Sequence, residues 1–202
     1  MERKTFRERF EDNYKAVSVP ANNSKGYKIR YVYYKPWHIW DLSGEGLREK
    51  KILLGMLFIL GFALYIFAGI QDMGINYDRV VGIATTLSLC AFLYEALGII
   101  QFCVSNGRTT GQNYDDVTSK IMLSTLAQAV LLYIAATGSV TFMMSKGFSA
   151  RGVLIAAGYC ASASLAMITR RAYKEIPLRT EANLNLYDDP RASAPVSHDA
   201  KT

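Results

Sequence analysis

The sequence predicts an all-α integral membrane protein: a four-transmembrane-helix bundle with N- and C-termini cytoplasmic and a short aromatic cytoplasmic N-terminal arm. Three observations carry this expectation. Four apolar stretches, residues 52–70, 80–104, 121–144 and 152–169, follow one another in a 202-residue chain, each about the 17–25 residues a helix needs to cross a bilayer. The segments between the first and second stretches (71–79) and between the third and fourth (145–151) are too short for an outer domain. Finally, Lys and Arg number 12 before the first stretch, 1 in residues 71–79, 2 in 105–120, 2 in 145–151 and 6 after residue 169. Four passages starting inside put 20 of these 23 cations on the cytoplasmic side, the bias that orients membrane helices.

A soluble core is the competing reading for a chain that is 50% hydrophobic, but nearly uncharged runs of this length exceed an ordinary globular helix. Mean hydropathy is only +0.09 because the polar arm (1–50) and tail (171–202) dilute the apolar middle (51–170). The net charge of +6 sits beside the spans and suits an anionic inner leaflet rather than nucleic acid.

The arm opens Met1-Glu2-Arg3-Lys4, too charged for a cleaved secretory signal. The first span is therefore expected to start insertion uncleaved, with Lys50 and Lys51 holding the N-terminus inside. Phe6, Phe10 and Tyr14 recur every four residues among charges, which predicts a short amphipathic helix. Pro20-Ala21-Asn22-Asn23-Ser24 marks a boundary, and its glycosylation sequon is discounted in a cytoplasmic arm.

Residues 27–34 then alternate in period two and are rich in Tyr, Val and Ile, a strand pattern that Pro36 ends. Trp37 and Trp40 follow about ten residues before the first span. Rings with one polar edge settle at the headgroup level and also dominate binding hot spots. Tyr31, Tyr33, Trp37 and Trp40 are accordingly candidate contacts to the inner leaflet, to a protein partner, or to both.

The middle loop, read as residues 105–120, carries the turn residues Asn106-Gly107 and Gly111, with Asp115 and Asp116 marking the expected start of the third helix. Small residues fill the fourth span, where Gly158 with Ser162, and Ala157 with Ala161, have the spacing of close helix contacts. From about Ile176 the tail turns polar, and disorder is expected at its end. Cys90, Cys103 and Cys160 lie in spans without any C-x-x-C pairing and read as packing residues.

Glu95 is the one ionisable side chain well inside a span. It falls on a face of small and polar residues, Thr85, Ser88, Ala91, Gly98 and Gln101, which should meet protein rather than lipid. Counted from the cytoplasmic ends of their helices, Glu95 and Gln128 both lie roughly 12–14 Å deep, with Tyr159 and Ser162 at a similar height. Glu95 and Gln128, with either Tyr159 or Ser162, are the expected buried polar layer, either a clasp between helices or a proton- or cation-responsive site. Arg170, Arg171 and Lys174, with Lys50 and Lys51, are candidate lipid-headgroup contacts.

His38 and His198 are the only histidines and neither is in a span, so bundle-core haem or histidine metal sites are not expected. No hydrolase motif occurs. The expectation is a non-catalytic multi-pass protein without cofactor or metal, in the plasma membrane. It would act as an accessory or scaffold subunit beside another membrane subunit or its own copies. The alternative is a small transporter or channel that uses Glu95.

Overall fold

The computed structural model describes residues 13–20 and 26–183. Four long helices dominate: α1 (Gly44–Gly69), α2 (Arg79–Val104), α3 (Gly111–Lys146) and α4 (Ala150–Lys174). All four are long and apolar enough to cross a membrane. The strands are β1 (Tyr14–Pro20), β2 (Tyr27–Tyr33), β3 (Trp37–Trp40), β4 (Arg108–Thr110) and β5 (Leu178–Glu181). The chain divides into two compact units, one built on the strands and the other on the helices from Trp40 onward.

In the strand unit, β1 and β2 form an antiparallel hairpin that pairs Tyr14 with Tyr33 and Pro20 with Tyr27. A second sheet has the order β4-β3-β5, with Trp37 opposite Thr110 and Ile39 opposite Arg108. The period-two stretch thus forms β2, and Pro36 lies just past its end. Tyr14, expected at the end of a helix, opens β1 instead. Its backbone pairs with β2 and its ring packs edge-on against Tyr33 at 5.6 Å, a cross-strand contact that a helical count does not register. Phe6 and Phe10 lie outside the described residues, as do positions 21–24 of the breaker cluster and the tail from 184.

The helical unit exposes many large apolar side chains and buries a set of polar ones. Ile59, Ile83, Leu93 and Leu123 are exposed, whereas Ser88, Glu95, Thr125, Gln128, Ser162 and Thr169 are buried. Such an apolar flank would be intolerable in water, but in hydrocarbon the polar groups are the ones that must turn inward. The four helices mark a membrane-embedded multi-pass protein.

Helix starts follow local chemistry. Ser43, Asp78 and Ser149 accept from the backbone amides of Gly46, Val80 and Gly152 at 3.1, 2.9 and 3.0 Å, satisfying donors that a first turn leaves unpaired. Gly147, at φ +101°, supplies the left-handed residue that ends α3 before α4 begins.

Three helices overrun the apolar stretches at one end of the bundle. α1 begins at Gly44 rather than 52, α3 at Gly111 rather than 121, and α4 continues to Lys174 rather than 169. The middle connection is therefore only residues 105–110, and Asp115 and Asp116 sit one turn inside α3 instead of at its start. Hydropathy sees the span, not the helix. Polar residues 111–120 stay helical because Tyr114 and Val117 pack on an apolar cluster of Trp40, Leu54, Ile99, Phe102, Ile121, Ala172, Tyr173 and Ile176. A second cluster, with Tyr65, Ala68, Phe92, Leu132, Ile155, Tyr159 and Ala163, fills the other end.

α1 and α4 pack most closely. A methyl group on Gly158 would stand 3.1 Å from Ala68 Cβ, and Ser162 Oγ donates to the Gly61 carbonyl at 2.8 Å. Gly158 and Ser162 thus face α1, while Ala157 and Ala161 are exposed. Cys90, Cys103 and Cys160 lie on the long helices, as expected, and are likewise exposed.

α2 and α3 meet at Gly98, where an added Cβ would stand 2.9 Å from Ile121 Cγ1 and 3.3 Å from the Ile121 backbone nitrogen. Gly98→Val should destabilise the bundle by about 1–3 kcal/mol, read as a lower melting temperature in detergent. Gly55→Ala, where nothing lies within 4 Å, should change it by no more than about 0.5 kcal/mol.

Candidate functional site

α2 turns Glu95 inward between Phe92 and Ile99, and α3 turns Gln128 inward between Ile121 and Leu132, all of them buried. The spacings of three, four and seven residues keep each set on one helix face. Gln128 Nε2 donates to Glu95 Oε2 at 2.5 Å, and Glu95 is only 2% exposed. A narrow crevice lined by Gly61, Phe92, Glu95, Gln128, Ser162 and Thr169, among others, leaves no room for a water molecule. Glu95, Gln128 and Ser162 therefore share one buried layer, which all four helices contribute to.

Tyr159 is elsewhere. Its hydroxyl donates to Asn76 Oδ1 at 2.9 Å, in the short 3-10 turn Gly74–Tyr77 between α1 and α2. Side chains lean toward the N-terminus of their own helix, and in α4 that direction leads away from Glu95. Counting Cα heights puts Tyr159 level with the carboxylate, but its ring extends one level further. Asn76 Nδ2 in turn donates to the carbonyls of Ala68 and Gln71 at 3.0 and 2.8 Å, so Tyr159 fastens α4 to the end of α1. Sequence reasoning missed Asn76, which lies six residues past the first apolar stretch and behind Gln71, with nothing local to distinguish it.

The basic residues divide in the same way. Lys51 Nζ donates to the carbonyls of Cys103 and Ser105 at 2.9 and 2.5 Å, and a cation at a helix C-terminus is favourable. Arg170 donates to the Met122 carbonyl of α3, and Arg171 pairs with Glu175 at 3.2 Å on an exposed flank. Lys174 is exposed and Lys50 half-buried. Lys51 and Arg170 thus couple helices, leaving Arg171 and Lys174 the more accessible to headgroups.

Of the four candidate aromatics, Tyr33 and Trp40 are buried. The Tyr33 hydroxyl donates to the Pro36 carbonyl and accepts from the Gly111 amide, both at 3.0 Å. Trp40 packs on Phe102, Tyr114 and Tyr173 at ring-centroid separations of 5.2, 5.3 and 6.0 Å. Trp37 is half-buried, with the Arg108 guanidinium 4.7 Å over its ring, and Tyr31 is exposed. No group of three or more His, Cys, Asp or Glu side chains placed to hold a metal ion occurs among the described residues.

No family model, curated protein or solved structure matches this chain.

Removing the Glu95 carboxyl group leaves the Gln128 amide without its acceptor and opens space beside Phe92. Glu95→Ala should therefore cost about 1–3 kcal/mol of bundle stability. Glu95→Gln, whose carbonyl still accepts from Gln128, should cost less than half as much, both read from thermal unfolding in detergent.

Proposed function

We propose that this chain is a non-catalytic accessory or scaffold subunit of a membrane complex, with both termini cytoplasmic and its strand unit engaging a partner protein. The observation that carries this reading is the outward row on β2. Tyr27, Ile29 and Tyr31 are 49%, 48% and 58% exposed and, at alternate positions of one strand, project from one face of the hairpin. Two-stranded hairpins are marginal alone and are stabilised by packing on another surface, and large aromatic and aliphatic side chains are the usual anchors of such contacts.

The distribution of cations along the sequence supports the cytoplasmic assignment of both ends, and a plasma membrane with an anionic inner leaflet is the setting that suits it. The surroundings of Glu95 support a clasp over a transport site. Its Oε2 accepts from Gln128 and its crevice has no space for water, whereas a proton relay passes through wetted or linked titratable groups.

The test replaces Tyr27, Ile29 and Tyr31 with Ser in the full-length chain. In native electrophoresis of gently solubilised membranes, the parent should migrate as a larger assembly and the triple variant as a smaller one with an unchanged melting temperature. Identical migration of the two would sink the partner reading. Epitope tags at the two ends should both require permeabilised cells for detection; a tag seen on intact cells would overturn the orientation. Proton-driven uptake into liposomes that Glu95→Gln abolishes would replace the scaffold with the transporter.

A further inference from the structure

A groove of about 580 Å³ runs along the outer flank between α2 and α3, lined by residues that include Asp78, Val80, Tyr133, Ile134, Thr141 and Phe142. Its floor is Gly138, where a methyl group would meet Val81 Cγ2 at 3.1 Å, so the glycine lets the helices touch and leaves the channel above them. From Tyr133 to Ser145 the groove follows α3 for roughly 18 Å, close to the roughly 15 Å depth of one leaflet's hydrocarbon. It therefore runs from mid-bundle to the end away from Trp40.

Its hydroxyl groups are already satisfied within the protein. Thr137 and Thr141 donate to the carbonyls four residues earlier at 2.8 and 3.0 Å, Ser145 donates to Phe142 at 2.8 Å, and Tyr133 bonds Ser164 at 3.1 Å. What they offer the groove is mainly methyl and ring surface, beside Val80, Ile134 and Phe142. Such walls suit a hydrocarbon chain. The mouth differs: Asp78 lines it as a carboxylate while its Oδ1 caps α2, and the exposed cations Arg79 and Lys146 adjoin Asp78 and Ser145 in sequence.

We propose that this groove holds one phospholipid with a primary-ammonium headgroup, phosphatidylethanolamine in chemistry. Its acyl chain lies along Val80, Ile134 and Thr141, its ammonium donates to Asp78, and its phosphate faces Arg79 and Lys146. A choline headgroup carries the same charge but no N–H, so it forfeits the charge-assisted hydrogen bond. A sterol, with one hydroxyl group, leaves both cations unused. The site lies on the helices alone and does not depend on the partner reading of the strand unit.

Native mass spectrometry of the full-length protein in detergent, titrated in parallel with phosphatidylethanolamine, acyl-matched phosphatidylcholine and cholesterol, tests this. One ethanolamine lipid should bind about fivefold more tightly than the choline lipid, a difference of roughly 1 kcal/mol. Asp78→Asn keeps an acceptor for the Val80 and Val81 amides and should reduce that preference to about one. Thr141→Trp fills the groove without touching the helix contact and should remove the retained lipid at an unchanged melting temperature. Equal binding of the two phospholipids by the parent, preference for cholesterol, or retention of lipid in Thr141→Trp would overturn the proposal.

Discussion

Inside a bilayer a polar group has no solvent to fall back on, and the Glu95–Gln128 hydrogen bond is where this chain meets that constraint most sharply. The bond sits at a joint. Toward one end Phe92, Leu132 and Ala163 belong to one apolar cluster; toward the other Ile99, Ile121 and Ala172 belong to the second. Dispersion and small-residue contacts bring such helices together but discriminate weakly among rotations about their axes. A carboxyl group and an amide that must find each other fix which faces of α2 and α3 meet, and Ser162 on the Gly61 carbonyl does the same for α4 and α1. Register is set by a few polar contacts, and close packing follows from it.

Around that joint the two ends of the bundle are finished differently. At one, Tyr159, Asn76 and the last carbonyls of α1 form a hydrogen-bonded turn. At the other, helices extend past their apolar stretches and enclose Trp40 among Phe102, Tyr114 and Tyr173. Trp40, Phe102, Tyr114 and Tyr173 give this end an aromatic core of its own, as Phe58, Phe62, Tyr65 and Phe92 do toward the other.

The helices and the Glu95–Gln128 pairing were legible in the sequence because both follow from period and depth. Apolar length gives the spans, and antiparallel helices measured from a common end bring residues of equal depth together. The misses have equally physical origins. Hydropathy marks where lipid begins, so the first turns of α3, polar but packed through Tyr114 and Val117, went unseen. Tyr159 was assigned by its Cα, although a tyrosine ring reaches a turn beyond it. Trp40 looked like an interfacial anchor from its neighbours in sequence; only the fold reveals that Phe102 and Tyr173, sixty and more residues away, enclose it. Long-range partners of this kind leave no local signature.

One contact also bears on the order of events during synthesis. Lys51 closes on the carbonyls of Cys103 and Ser105, so a chain growing from its N-terminus cannot complete this link until more than fifty further residues have been added. Until then the ammonium stands at the threshold of the first apolar helix with only water or headgroups to answer it. When the second helix returns to the same side, its unpaired carbonyls take up the charge. The link draws only on the first two helices and the residue after them, and so needs nothing from α3 or α4.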